Sequence, residues 1–195
     1  IDSSLMASMP DIVTLSSGFD AMAHAIESLL SNKANVFTKT LAREAIKLAY
    51  VNLPICYDEP NNLEARENMA YAEYMAGLAY SNSGLGLAHS IAHGVAGKFK
   101  IPHGIILAMS MCAVLKYNMY SPASSEYKSL AEAIENAPVG ATVTLLSDVT
   151  VDKMIKLEKQ DEPRFDEFSR MLCELEEFLD EEADFTDKDW SENLK

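Results

Sequence analysis

The chain has 195 residues, 48% of them hydrophobic, and a formal net charge of −14. That length suits one good core, alone or with an appendage. The acidic balance argues against a nucleic-acid partner, because phosphate binding needs basic patches.

Taken in order, Ile1 to Ser17 lacks a clear period and reads as an extended lead-in, with Ser17 a candidate helix cap. Gly18 to Ser31 carries Met22, Ala23, Ile26, Leu29 and Leu30 at helical spacing. Phe37 to Tyr50 repeats the pattern, and Pro54 to Asn61, with two prolines, reads as a turn region. Leu63 to Tyr80 predicts a long helix whose small residues, Ala70, Ala72, Ala76 and Ala79, allow close packing. Ser81 to Gly86 reads as a helix-breaking link. Gly84 and Gly86 there either cap and loop the chain or let the backbone approach a ligand or a neighbouring helix. Leu87 to Phe99 and Gly104 to Tyr120 complete the helices, the last apolar on nearly every face and so central. The longest apolar run, Ile105 to Leu115, is too short to span a bilayer, and no membrane partner is expected.

After Ser121 the character changes. Segment 122–151 reads as a short helix over Ser129 to Glu135, a turn at Pro138 to Gly140, and a strand over Ala141 to Val151. Segment 152–195 holds 16 acidic and 7 basic residues. Phe165, Phe168, Leu172, Leu175 and Leu179 recur there every three or four residues, which predicts an acidic amphipathic helix followed by a frayed tail. Cys56, Cys112 and Cys173 are scattered and odd in number, and read as free thiols of a reducing compartment. With no basic-then-apolar leader at Ile1, the expected location is the cytoplasm.

The four histidines are not scattered. His24 follows Asp20 by four residues, His89 and His93 share the same spacing, and His103 follows Pro102 at a helix start. A spacing of four sets two side chains on one helix face, one turn apart. A carboxylate with several neutral imidazoles suits a divalent transition ion such as iron(II) or zinc. The competing reading is a structural bundle whose histidines are satisfied core residues.

Two longer motifs enclose these residues. GFDAMAHAIE, Gly18 to Glu27, resembles the G-x-D-A-x-x-H-A-I-E segment of the iron-containing (group III) alcohol dehydrogenases. GLGLAHSIAHGVAGKFKIPHG, Gly84 to Gly104, resembles that family's G-L-G-x-x-H-x-x-A-H-x-x-G-x-x-x-x-x-P-H-G. The motif resemblance spans about residues 10–121. It implies a mainly α, bundle-like metal domain of the dehydroquinate synthase-like C-terminal type over 1–121, with a non-family appendage after it. It implies Asp20, His24, His89 and His103 as metal ligands, for Fe2+ with Zn2+ or Mn2+ as alternatives. His93 is then no ligand but a catalytic proton relay near nicotinamide and substrate, where spacing alone would pair it with His89. The implied reaction interconverts a small alcohol and an aldehyde by metal-assisted hydride transfer to or from NAD(P).

No βαβ alternation or glycine cluster after a strand marks a nucleotide-binding domain in this sequence. The expectation is therefore a fragment with the metal half of a dehydrogenase site, weakly active or inactive alone. Its partner would be a separate nucleotide-binding half, or further copies in a homo-oligomer. The alternative is a catalytically silent helical metal-binding or interaction domain.

Overall fold

The computed structural model describes residues 1–99, 101–118 and 121–135. Among them the regular structure is helical and no strand forms. The strand expected at Ala141 to Val151 and the acidic helix expected within 152–195 lie outside the described residues.

Six α-helices follow a short 3-10 turn at Ser3–Met6: α1 (Asp11–Leu30), α2 (Val36–Asp58), α3 (Leu63–Ser83), α4 (Leu87–Ala96), α5 (His103–Asn118) and α6 (Tyr127–Glu135). A second 3-10 turn, Pro122–Glu126, leads into α6.

The α1 helix begins seven residues before the expected Gly18. Pro10 takes the N-cap position, and Asp11 sits in the first turn, where a negative charge meets the positive end of the helix dipole. The Ser17 hydroxyl caps nothing: it bonds back to the Val13 carbonyl, the usual outlet for a serine inside a helix. The segment before Gly18 shows no clear helical period, yet Leu15 within it is buried in the core.

The expected turn at Pro54 to Asn61 is likewise helical as far as Asp58. Pro54 removes one N–H from the ladder. Leu53 and Cys56, each 1% exposed, hold the last turn of α2 against the core, so packing overrides the break. At its other end Asn35 and Thr38 form a reciprocal capping box. The expected link after Tyr80 is shorter than read, since α3 continues to Ser83 and closes at Gly84 with φ of 78°.

The core gathers around α1. Phe19, Met22, Ile26 and Leu29 meet Ile46 and Leu53 of α2 and Ile105, Ile106, Leu107 and Met111 of α5, all buried. On α3 the inward residues are mostly alanines, Ala65, Ala72, Ala76 and Ala79, and the small side chains let α3 lie close to α1 and α2. Arg66 adds a polar tie across this seam, donating to the Thr14 hydroxyl at 2.8 Å and to the Pro60 carbonyl at 3.1 Å. The α6 helix and the 3-10 turn before it dock on α2: Glu126 of the turn lies 2.5 Å from the Lys39 ammonium, and Ser129 of α6 lies 2.6 Å from the Arg43 guanidinium.

Two close approaches place the site. At Gly104, the second residue of α5, an added Cβ would lie 1.8 Å from the Ser16 carbonyl oxygen of α1. At Gly86, just before α4, an added Cβ would lie 2.8 Å from a Glu27 carboxylate oxygen. Only glycine lets α1 come this near to both segments.

Candidate metal centre

The α1 helix supplies Asp20, His24 and Glu27, at intervals of four and three that put them on one face. The α4 helix supplies His89 and His93, and α5 opens on His103. These segments are far apart in sequence and meet where α1, α4 and α5 converge.

One donor atom from each of Asp20, His89 and His103 lies within 4.8 Å of the other two. Asp20 Oδ1 and His89 Nε2 are both buried, stand 3.4 Å apart, and make no hydrogen bond to each other or to any other group. They face each other at ion-pair distance without closing a hydrogen bond, which leaves both able to serve a further group between them. A cation is such a group, and the donor set of one carboxylate oxygen and imidazole nitrogens suits iron(II), zinc or manganese.

His24 lies beside this group. Its Nε2 is 3.4 Å from Asp20 Oδ1, and its ring stacks on His89 with centroids 4.7 Å apart. From α3, Glu73 meets His24 Nδ1 at 3.2 Å and Tyr80 packs on the ring at 4.6 Å. His24 therefore borders the set of three without belonging to its tightest grouping. His93 is exposed and stands off, its ring 5.1 Å from His103 and 6.4 Å from His89. The i, i+4 pair His89 and His93 thus has one buried and one outward member, which spacing alone cannot separate.

The buried groups are coupled through their charges. Burial opposes ionisation of Asp20, but the imidazoles of His89, His24 and His103 outweigh it and hold the carboxyl below its usual range. Burial also works against a charged His89, yet the carboxylates of Asp20 and Glu27 on either side push it up to about 9. His103 is pulled down by burial and by the neighbouring imidazoles His89, His93 and His24, against the pull of Asp20.

Glu27, Glu73 and Tyr80 were given no role on sequence grounds, although all three touch the imidazoles. Glu27 closes the first motif and falls seven residues after Asp20, a helical interval that could have flagged it. Nothing in the sequence marks Glu73 or Tyr80, which approach across helices.

Comparison with known proteins places the chain in a family. The model of the C-terminal part of the Fe-containing alcohol dehydrogenase family matches residues 14–187, beyond the motif resemblance that ends near Ser121. A 1-propanol dehydrogenase from Citrobacter freundii is 34% identical, over 82% of this chain and 44% of its own. An NAD-dependent methanol dehydrogenase from Bacillus methanolicus is 40% identical, over 69% of this chain and 35% of its own. The chain thus spans less than half the length of these relatives. A solved 1,3-propanediol oxidoreductase superposes with a TM-score of 0.67 at 32% identity, covering 81% of this chain and 41% of that one. An alcohol dehydrogenase from Oenococcus oeni superposes with a TM-score of 0.67 at 29% identity, covering 80% and 41%. With its helical fold, its two motifs and its converging carboxylate and imidazoles, this chain belongs to the iron-containing alcohol dehydrogenase family, matching that family's C-terminal region.

Proposed function

We propose that the chain forms the metal half of an alcohol dehydrogenase site, with Asp20, His24, His89 and His103 holding one divalent ion, iron(II) in the first place and zinc or manganese as alternatives. The observation that carries this reading is the pair of buried, unpartnered donors, Asp20 Oδ1 and His89 Nε2, with His103 beside them. The ion, when bound, supplies Lewis acidity toward the oxygen of a small alcohol or aldehyde.

The chain's own residues do the rest. Asp20 brings the one negative charge of the donor set, and its depressed pKa keeps it ionised near neutrality. Glu73 and Tyr80 fix the ring of His24, the carboxylate facing Nδ1, so that Nε2 points to Asp20. His93, exposed at the rim beyond His103, is free to exchange a proton with water and with substrate. The hydride partner is NAD(P), in keeping with a relative named as NAD-dependent. The described residues contain no strand and so build no βαβ phosphate cradle for it. That cradle would come from a nucleotide-binding half, and the 195-residue chain assayed alone would bind metal while turning over alcohols slowly or not at all. We assign the protein to the cytoplasm on its scattered cysteines; no described helix is long and apolar enough to cross a membrane.

Metal analysis of the purified chain tests the assignment. Wild type should hold near one ion per chain after loading with iron(II) or zinc, and Asp20→Ala and His89→Ala should each lose it. Unchanged metal content in both variants would overturn the ligand set.

A further inference from the structure

Glu27 is a buried carboxylate, 5% exposed, on the core-facing part of α1 between Ile26 and Ser28. Among the described residues no lysine or arginine pairs with it. Its oxygens are instead occupied by N–H groups from one short segment. Oε2 accepts from the Gly86 backbone N–H at 2.9 Å, Oε1 accepts from Ala88 N–H at 2.7 Å, and the His89 N–H lies 3.4 Å from Oε2. The shortest contact is to a side chain: His89 Nδ1 stands 2.6 Å from Oε2.

Each imidazole of neutral histidine carries one N–H, and the nitrogen engaged as donor decides which one keeps a free lone pair. Since Glu27 is an ionised acceptor, Nδ1 of His89 is the donor and Nε2 is left as the lone-pair nitrogen. Nε2 is the same atom that lies unpartnered 3.4 Å from Asp20 Oδ1. One carboxylate therefore does two things at once. It caps the N-terminus of α4, where Gly86 provides no side-chain cap of its own, and it turns the first buried histidine of that helix toward Asp20 and His103.

We propose that Glu27 is a positioning residue of the metal centre: through its bond to Nδ1 it fixes the tautomer and ring orientation of His89 and raises the basicity of Nε2 toward a divalent ion. The inference rests on the metal centre proposed above. Gly86 belongs to the same device, because any side chain there would push into the carboxylate. Partners of this kind, one bond behind a metal ligand, typically change metal affinity about 10–100-fold when removed.

The test uses the full chain, zinc titrated in competition with a chromophoric chelator, and cobalt(II) as a spectroscopic reporter of ligand geometry. Glu27→Ala removes the acceptor. Glu27→Gln keeps its shape and one acceptor but sets an NH2 group against an N–H donor, and serves as the variant that preserves packing. The expected result is zinc affinity lowered about 10–100-fold in Glu27→Ala and by a smaller factor in Glu27→Gln, with a shifted cobalt(II) visible spectrum in both. A helix cap alone would lower the melting temperature and leave affinity per folded molecule and the cobalt spectrum untouched. Zinc affinity within twofold of wild type in Glu27→Gln, with an unchanged spectrum, would therefore refute the positioning role while leaving the metal centre standing. A wild-type chain that takes up neither zinc nor cobalt would bring down the metal centre itself, and this inference with it.

Discussion

Among the described glycines, Gly104 makes the tightest approach, where the start of α5 meets α1, and replacing it by alanine tests whether that approach builds the site. The added Cβ would sit 1.8 Å from the Ser16 carbonyl oxygen and 2.6 Å from its carbon, whereas real Cβ atoms essentially never come within 3.0 Å of another group. The obstacle is backbone in mid-helix, which cannot swing aside as a side-chain tip would. Relief requires α5 to move off α1 by about 1.2 Å, from 1.8 Å to 3.0 Å. The move strains the seam between Phe19 and Met22 on one side and Ile105 and Ile106 on the other, all essentially buried. Overpacking of this kind costs about 3 kcal/mol, or roughly 6–12 °C in Tm for a chain of this size. It also carries His103, the adjacent residue, away from Asp20 by a similar distance, a large fraction of a metal–ligand bond. The assay is thermal unfolding by circular dichroism with zinc titration of the same samples, beside Gly77→Ala as control. An added Cβ at Gly77, midway along α3, meets nothing within 4 Å, so that variant should be neutral or up to about 1 kcal/mol more stable. If Gly104→Ala melted and bound zinc like wild type, the claim that this contact sets the geometry of the centre would be wrong.

Three further outcomes follow from the same structure. In the metal-stripped chain His89 has a folded pKa of about 9 against an ordinary 6.5, so its contribution to stability is full below about pH 6.5 and is lost as pH rises through about 9. The Tm of stripped protein should therefore fall across that window. Saturating zinc should reverse the slope because the ion takes the neutral imidazole, and equal slopes with and without zinc would contradict the assignment. Asn35→Ala dissolves the capping box of α2 and should cost about 1 kcal/mol, roughly 2–4 °C in Tm. Zinc affinity should not change, because α2 carries none of the donors; a change in affinity would show coupling that the geometry lacks. His93→Ala should keep the full metal content, measured by elemental analysis, since its ring is exposed and outside the donor group. Loss of the ion would make it a ligand after all.

How much of this could be read from the chain alone divides along local and non-local lines. Helices with apolar residues at helical spacing, such as the stretch from Gly18 to Ser31, were legible because one face repeats. The start of α1 and the end of α2 were not, because Pro10 and Pro54 signal breaks locally while the buried Leu15, Leu53 and Cys56 pay no heed to them in the fold. The histidines were legible as candidates through the intervals between them. Which of His89 and His93 faces inward was not, since both spacings satisfy the same helix face and only the approach of α1 distinguishes them.

The same division explains why the two motifs belong together. Asp20 and His89 are 69 positions apart and share no periodic relation, so no local rule brings Oδ1 and Nε2 to 3.4 Å. What does so is a pair of residues inside the motifs that carry no metal chemistry of their own. Gly104 lets α5 lie against Ser16, and Gly86 lets the α4 N-terminus close on Glu27. A motif read only for its ligands would treat these glycines and this glutamate as spacers. Read with the structure, they are the reason the ligands converge: a Cβ at Gly104 would strike the α1 backbone at Ser16, and one at Gly86 would strike the Glu27 carboxylate that holds His89.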